Sequence, residues 1–132
     1  LRVGLASWSD DSLLLDARFT AGGPYSVRGY PKESLGPLDP YLGFPTGGGA
    51  MVVINEELRT LVFEGVWALA FVDAGQVWEE IGDIDTALAT SVGLGTRLVT
   101  PVGVIRVDAA WPLDRRPGDP SWKLYFGLGS TF

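Results

Sequence analysis

Acidic side chains stand in three close sets along this sequence, and paired carboxylates are one arrangement that can catalyse hydrolysis. The sets are Asp10-Asp11, Glu79-Glu80 and Asp83 with Asp85. All three fall in segments that the sequence predicts to be loops, where solvated charge is the simpler explanation. The chain contains no Cys and no His, which excludes a cysteine nucleophile, a Ser-His-Asp triad and an imidazole or thiolate metal site. We therefore predict no catalytic residue, no metal, no cofactor and no enzymatic activity.

One cation lies in a distinctive setting, Arg28, in the run Val27-Arg28-Gly29-Tyr30 of the Gly- and Pro-rich segment 20–48. A guanidinium is permanently charged and can bind two carboxylates at once. Gly29 would let the backbone approach another element closely, and Tyr30 would add a rigid contact. On these residues alone, an ordinary solvent-exposed arginine is the favoured interpretation.

Composition narrows the class of protein. Of 132 residues, 10 are Lys or Arg and 16 are Asp or Glu, so the net charge is −6, the opposite sign to that of a nucleic-acid-binding protein. Hydrophobic residues make up 46%, which argues against disorder. No window approaches about 18 consecutive apolar residues, so we predict no transmembrane helix. The chain starts at Leu1 rather than Met, and we expect a fragment or a processed piece.

The elements that would position Arg28 are predicted to be strands, because apolar residues recur with period two and helical periodicity is nearly absent. We predict six strands, at residues 1–9, 50–61, 65–78, 90–100, 103–112 and 122–132. The segment 84–90 could hold one helical turn. Tight connections alternate with long ones, which is typical of an outer-membrane barrel.

The two faces of these strands indicate which one meets lipid. Along the last strand, the apolar residues Leu124, Phe126 and Leu128 alternate with small or polar residues. A soluble sheet also alternates, but its polar face usually carries Lys, Glu and Thr. Here the second face carries small residues and single charges: Gly93, Gly95, Arg97, Arg106, Asp108, Ala110, Gly127 and Gly129. The apolar face ends in the aromatic residues Trp111, Trp122 and Phe132, as interfacial girdles require. We therefore predict an all-β antiparallel transmembrane barrel with its apolar face outward.

Six strands are too few for the smallest bacterial single-chain barrels, which have about eight. An open edge in lipid would leave backbone groups unpaired at several kcal/mol each. Three interpretations follow: further strands precede Leu1, several copies close one ring, or this piece is not embedded in the membrane as it stands.

Several short pieces of sequence follow one another in the order of a known family. They are Ala21-Gly-Gly-Pro-Tyr-Ser-Val-Arg-Gly-Tyr30, Glu56-Glu-Leu-Arg59, Phe71-Val-Asp-Ala-Gly-Gln-Val-Trp78, Gly93-Leu-Gly-Thr-Arg97, and Thr100-Pro-Val-Gly103 leading to Arg106-Val-Asp108. In these pieces, and in a terminal aromatic strand, the chain resembles the bacterial outer-membrane assembly-factor superfamily, of the bacterial surface antigen type. That superfamily contains BamA, TamA and the two-partner secretion translocators. The likeness covers essentially the whole chain.

The resemblance implies that residues 1–132 are the C-terminal portion of a sixteen-stranded barrel, with six strands and with residues 20–48 folded into the lumen. It also implies that Arg28 meets acidic residues on the inner wall, which by motif position are Glu57 and Asp73. Successive side chains of a strand point to opposite faces. If Glu57 and Asp73 face inward, the residues that share their face are Asn55, Arg59, Leu69 and Phe71, and those that face outward are Val52, Ile54, Leu58, Ala68, Ala70 and Val72. Glu56 would then face lipid, so either it lies near the headgroups or this register is off by one.

The end of the chain carries a second likeness. Tyr125-x-Gly127 followed by Phe132 resembles the C-terminal signal that outer-membrane proteins present to their assembly machinery, although Ser130 stands where an apolar residue is common. Gly127 and Gly129 lower strand stability, which is compatible with a weakly paired seam.

The resemblance implies a non-enzymatic factor of the outer membrane, in a Gram-negative-type envelope, that inserts or translocates other proteins. In the family, the barrel seam offers a strand edge to a client. The expected partners are outer-membrane lipid, client outer-membrane or secreted proteins and accessory assembly proteins, but not nucleic acid. Two alternatives stay open: a two-partner secretion translocator, and a passive small pore or soluble β-barrel binding domain.

Overall fold

The computed structural model describes residues 2–5, 18–115 and 119–129. Within them the chain forms one antiparallel sheet whose six strands lie side by side in chain order. The strands are β1 (Arg2–Leu5), β2 (Ala50–Phe63), β3 (Val66–Trp78), β4 (Ala89–Thr100), β5 (Gly103–Pro112) and β6 (Lys123–Gly129). The all-β antiparallel prediction is confirmed. No helix in these three ranges is long and apolar enough to cross a membrane.

Most strand boundaries agree with the predicted ones to within two residues. β2 continues to Phe63 through an irregularity between Leu61 and Phe63, and Trp122 precedes β6 rather than belonging to it. Residues 1, 6–9 and 130–132 of the predicted end strands, including Phe132, lie outside the described residues. The helical turn suggested within 84–90 is wrong, because the chain makes a short 3-10 helix at Ile81–Asp83 and enters β4 at Ala89.

The strand register builds rows of side chains across the sheet. One row on the outer face runs through Leu58, Ala70, Leu94, Ala109 and Leu124. Two adjacent rows on the inner face run through Glu57, Phe71, Gly93, Ala110 and Lys123, and through Arg59, Leu69, Gly95, Asp108 and Tyr125. Charged and small residues therefore share one face, and aliphatic residues share the other.

The apolar face of the sheet is the exposed one, as predicted. Leu58, Leu94 and Leu124 expose 60–77% of their surface, while Leu69 and Phe71 on the inner face expose less than 5%. Glu56 is exposed and pairs with Val72, which is also exposed. The predicted register is therefore correct, and Glu56 lies on the outer face.

The 20–48 loop covers the inner face of the sheet. Two backbone hydrogen bonds join Phe19 to Gly48, and Leu35 donates to the carbonyl of Ala21 at 3.0 Å, so the segment between them doubles back as a finger. Its buried apolar side chains pack on residues from three strands, and the resulting cluster contains Ala21, Val27, Tyr30, Leu35, Val53, Val77 and Ala89. The loop is thus a packed layer of the fold, and its finger carries Arg28.

Candidate functional site

The finger delivers Arg28 into a buried site against β2 and β3. Arg28 is 3% exposed and Asp73 is fully buried. The guanidinium donates from Nε to Asp73 Oδ2 at 2.6 Å and from Nη2 to Asp73 Oδ1 at 2.8 Å, so the pair is bidentate. The backbone N–H of Arg28 also donates to Asp73 Oδ2 at 3.1 Å. One carboxylate therefore fixes both the side chain and the backbone of this residue.

Glu57 and Phe71 complete the setting of the guanidinium. Nη1 of Arg28 donates to Glu57 Oε1 at 2.9 Å, and the guanidinium carbon lies 3.4 Å from the centroid of the Phe71 ring, a stacked cation–π contact. Burial disfavours the charged form of Arg28, but hydrogen bonds and charge from Asp73 and Glu57 outweigh that effect and raise its pKa. The guanidinium is therefore permanently charged despite its burial.

Asn55 ties the finger to the same carboxylate by a second route. Its Nδ2 donates to the carbonyl of Ser26 at 2.6 Å and to Asp73 Oδ1 at 2.9 Å. Asp73 thus accepts from four donor groups, which is enough to compensate for the full burial of its charge. Sequence reasoning placed Asn55 on the inner face but did not assign it to the site.

A second buried carboxylate, Asp108 on β5, extends the network toward the end of the sheet. It receives Arg97 Nη1 at 2.6 Å and Arg106 Nε at 2.6 Å, and Arg28 Nη1 lies 3.6 Å away. Arg106 also donates from Nη2 to the carbonyl of Pro24 in the finger at 2.8 Å. Four arginines and three carboxylates therefore form one connected network, because Arg59 pairs in turn with Glu57 at 2.6 Å.

Small residues on β4 make room for this network. A Cβ on Gly93 would overlap the Phe71 ring, and one on Gly95 would overlap the Asp108 carboxylate. Both glycines lie on the face that the sequence predicts to carry small residues and single charges. The structure shows that the space is occupied by the stacking ring and by the second acid.

The backbone after Arg28 lies against β4, β5 and β6. Gly29 has a φ of 94°, and a Cβ there would come within 3.1 Å of the Pro112 nitrogen, so only glycine fits without strain. The Tyr30 hydroxyl donates to the carbonyl of Thr90 at 3.0 Å and accepts from the Asp114 N–H at 3.1 Å. Burial raises the pKa of the Tyr30 phenol above its ordinary value, so the phenol keeps the proton that it donates.

The last strand also reaches the finger, through Tyr125. The Gly29 N–H donates to the Tyr125 hydroxyl at 2.9 Å, and that hydroxyl lies 3.4 Å from the carbonyl of Tyr30 as a donor. Sequence reasoning assigned Tyr125 and Gly127 to a terminal signal and did not place Tyr125 beside Arg28. The structure brings Arg28, Gly29 and Tyr30 together with Glu57, Asp73 and Tyr125, while Phe132 lies outside the described residues.

The chemistry of the site is that of an ionic anchor. A polar cavity of about 460 Å³ lies beside the network. It is lined by Pro24, Tyr25, Ser26, Arg28, Asn55, Glu57, Arg59 and Arg106. In the described part of the chain, no group of three or more acidic residues could hold a metal ion. Each carboxylate of the network is paired with arginine, so the arrangement holds the finger on the sheet and presents no activated nucleophile.

Known proteins resemble this chain in both sequence and structure. Residues 1–132 match the Omp85 superfamily domain. The outer membrane protein assembly factor BamA of Nitratidesulfovibrio vulgaris is 34% identical over 122 residues, which cover 87% of this chain and 15% of that protein. The BamA of Neisseria meningitidis serogroup B is 28% identical over 147 residues, covering 86% of this chain and 18% of that protein.

A solved structure shares the fold. The crystal structure of BamA from Haemophilus ducreyi lacking POTRA domains 1–3 aligns with a TM-score of 0.69 and 26% identity, covering 89% of this chain and 28% of that one. The chain therefore spans less than a fifth of the two sequence relatives and under a third of the solved chain. The resemblance carried by the motifs is confirmed. Because the match covers every residue of the sequence, the chain belongs to the Omp85 superfamily of outer-membrane β-barrel proteins.

Proposed function

We propose that residues 1–132 form the C-terminal portion of a barrel that assembles other proteins into the outer membrane, as the names of the two BamA relatives state for those proteins. The six strands are the last six of a sixteen-stranded barrel, and the 20–48 loop lies in its lumen. Support comes from the exposed aliphatic rows on the outer face, which suit hydrocarbon, and from the buried charges on the inner face.

The observation that carries this proposal is the fourfold engagement of Asp73 by Arg28 and Asn55. A buried ion pair of this kind contributes little net stability but is strongly destabilising to break, at about 3–5 kcal/mol. Its role is therefore to specify one position of the finger. With Glu57 as a second acceptor, the anchor of Val27, Arg28, Gly29 and Tyr30 holds the loop inside the barrel while the seam opens and closes.

The work itself needs no covalent step. A client strand pairs with an open strand edge by β-augmentation, and main-chain hydrogen bonds provide the affinity. β6 is the strand that offers such an edge, because its described residues include two glycines, Gly127 and Gly129. Tyr125, Gly127 and Phe132 also form the terminal signal by which this barrel is itself assembled.

The partners follow from the two faces. Outer-membrane lipid contacts the aliphatic rows, client outer-membrane or secreted proteins meet the seam, and accessory assembly proteins bind the complete protein. Both named sequence relatives are assembly factors, and this supports the assembly branch over a two-partner translocator. A packed loop over the inner face, bonded to strands on both sides, is a poor fit to a passive pore.

The test uses the full-length protein in cells that depend on it for outer-membrane assembly. Arg28→Ala removes the guanidinium, so we expect the levels of client outer-membrane proteins to fall severalfold while the barrel itself is still inserted. Lys32→Ala is the matched control, because Lys32 is an exposed cation of the same loop, and client levels are expected to stay normal. Normal client levels with Arg28→Ala would overturn the proposal.

A further inference from the structure

In the described part of the last strand, the inner-face side chain of Tyr125 is hydrogen-bonded to the loop backbone. The residues of β6 on that face are Lys123, Tyr125, Gly127 and Gly129. A Cβ on Gly127 would meet no atom within 4 Å, so nothing from the finger packs on that part of the strand. The Lys123 ammonium lies 5.8 Å from the Tyr125 ring. Beyond its ladder with β5, the described part of β6 is thus held to the finger at Tyr125.

The Tyr125 hydroxyl binds backbone groups of two consecutive residues, Gly29 and Tyr30, rather than a side chain. It accepts from the Gly29 N–H at 2.9 Å and donates toward the Tyr30 carbonyl at 3.4 Å. Gly29 and Tyr30 directly follow Arg28, whose backbone N–H and guanidinium are both fixed by Asp73. A shift of Arg28 away from β3 therefore moves the acceptor and donor that Tyr125 needs.

The finger consequently bridges the sheet from β2 to β6. Arg28 bonds to β2 and β3, Tyr30 bonds to the carbonyl of Thr90 in β4, and Gly29 bonds to β6 through Tyr125. The close approach of Gly29 to Pro112 and Ala110 adds β5. Because Arg28, Gly29 and Tyr30 are consecutive residues and each is bonded to a different part of the sheet, a displacement at one of these contacts is transmitted to the others.

We propose that Tyr125 is a positioning residue that couples the Arg28 anchor to the pairing of the last strand. An anchored finger keeps β6 paired with β5. Release of β6 requires that the Tyr125 hydroxyl break its hydrogen bonds with the Gly29 N–H and the Tyr30 carbonyl. The proposal rests on the proposed function only for the identity of β6 as the seam strand. This coupling is reciprocal. Weakening the Arg28 anchor weakens the pairing of β6 with β5, and weakening that pairing weakens the anchor by the same factor.

Hydrogen exchange of the full-length protein in lipid tests this coupling. Tyr125→Phe removes the hydroxyl and keeps the ring, so we expect amides in 123–129 and at residues 29 and 30 to exchange about threefold to tenfold faster. Tyr41→Phe is the control, because Tyr41 is 94% exposed on the same loop and its hydroxyl loss is expected to leave exchange unchanged. Unchanged exchange of 123–129 in Tyr125→Phe overturns the proposal.

A second variant separates coupling from a local effect. Arg28→Lys weakens the bidentate pair with Asp73 and changes no residue of β6, yet we expect faster exchange in 123–129. In the double variant Arg28→Lys with Tyr125→Phe, the acceleration of exchange is expected to be smaller than the product of the two single-variant accelerations, because either change alone already releases the finger. If Arg28→Lys leaves the exchange of 123–129 unchanged, or if the double variant shows the full product of the two single accelerations, the Arg28 anchor and the Tyr125 contact are independent. Either result overturns the proposal. Hydrogen exchange does not report client assembly. The coupling can therefore be disproved while the proposed function stands, and the reverse also holds.

Discussion

The inner and outer faces of strands β2 to β6 are made from alternate residues of the same segments, but they meet opposite solvation requirements. On the outer face, Leu58, Leu94 and Leu124 lie in one row and expose most of their surface. On the inner face, Asp73 and Asp108 are fully buried and are paired with arginines. A soluble sheet would show the reverse distribution.

This contrast shows where the specificity of the fold resides. Side chains that face hydrocarbon need only be apolar, so we expect the outer rows to tolerate exchange among Leu, Ala and Val. Buried charges need particular partners at particular distances, because an unpaired one is costly. The inner face therefore fixes the position of the 20–48 loop, while the outer face fixes only the side of the sheet that meets the membrane.

The largest expected effect comes from removing a buried acid of the inner face. Asp108→Ala leaves Arg97 buried without its carboxylate and takes a partner from Arg106 and Arg28. We expect the free energy of unfolding of the full-length protein in lipid vesicles, measured in urea, to fall by about 3–5 kcal/mol. Asp83→Ala, which removes an exposed acid outside the sheet, is expected to change it by less than about 0.5 kcal/mol. Equal small effects of both variants would show that the Asp108 charge is solvated.

The outer face is tested by placing a charge on it. Leu94 lies in the middle of β4 and is 60% exposed, so Leu94→Arg puts a guanidinium into hydrocarbon. We expect a loss of about 2–4 kcal/mol in unfolding free energy in a bilayer. Leu113→Arg is the matched control, because Leu113 has similar exposure but follows the end of β5, where the cost falls to about 0–1 kcal/mol near the interface. If the two variants cost the same, this face does not meet the membrane core.

The sequence predicts the two faces well, because alternation with period two is a local property. Spacing groups Leu124, Phe126 and Leu128 on one face, the small residues and single charges of the other face predict that this one is outward, and the exposure of the three side chains agrees. The inward orientation of Asp73 is implied by the family resemblance, and parity then places Phe71 on the same face. Such predictions need only the strand and one reference residue, since every second side chain shares a face.

The second acid was missed although the sequence contained a signal for it. A tight turn at 100–103 fixes the β4–β5 register, which sets Arg97 opposite Arg106. Two arginines opposite one another on a buried face require an acid nearby, and Asp108 is the acidic residue two positions from Arg106 on the same face. Arg97, Arg106 and Asp108 were instead interpreted as isolated charges among small residues.

The path of the 20–48 loop could not be predicted from its own residues. Its conformation is set by contacts with strands that are 29 to 96 residues away in the chain, such as those of Arg28 with Glu57 and of Gly29 with Tyr125. Glycine and proline indicate only that regular structure is interrupted. The likeness to a family supplied the Arg28 partners, and nothing local to the loop indicated Tyr125.

The smallest expected effect contrasts a neutral inner-face hydrogen bond with the charged ones. Tyr30→Phe removes the hydroxyl that bonds to the Thr90 carbonyl and the Asp114 N–H. The Thr90 carbonyl still accepts from the Leu113 N–H at 2.8 Å, and Asp114 is exposed so that water can replace the lost partner. We therefore expect a loss of only about 0.5–1.5 kcal/mol in unfolding free energy, measured beside Asp108→Ala under the same conditions. A loss as large as that of Asp108→Ala would mean that burial, and not charge, sets the cost of breaking an inner-face contact.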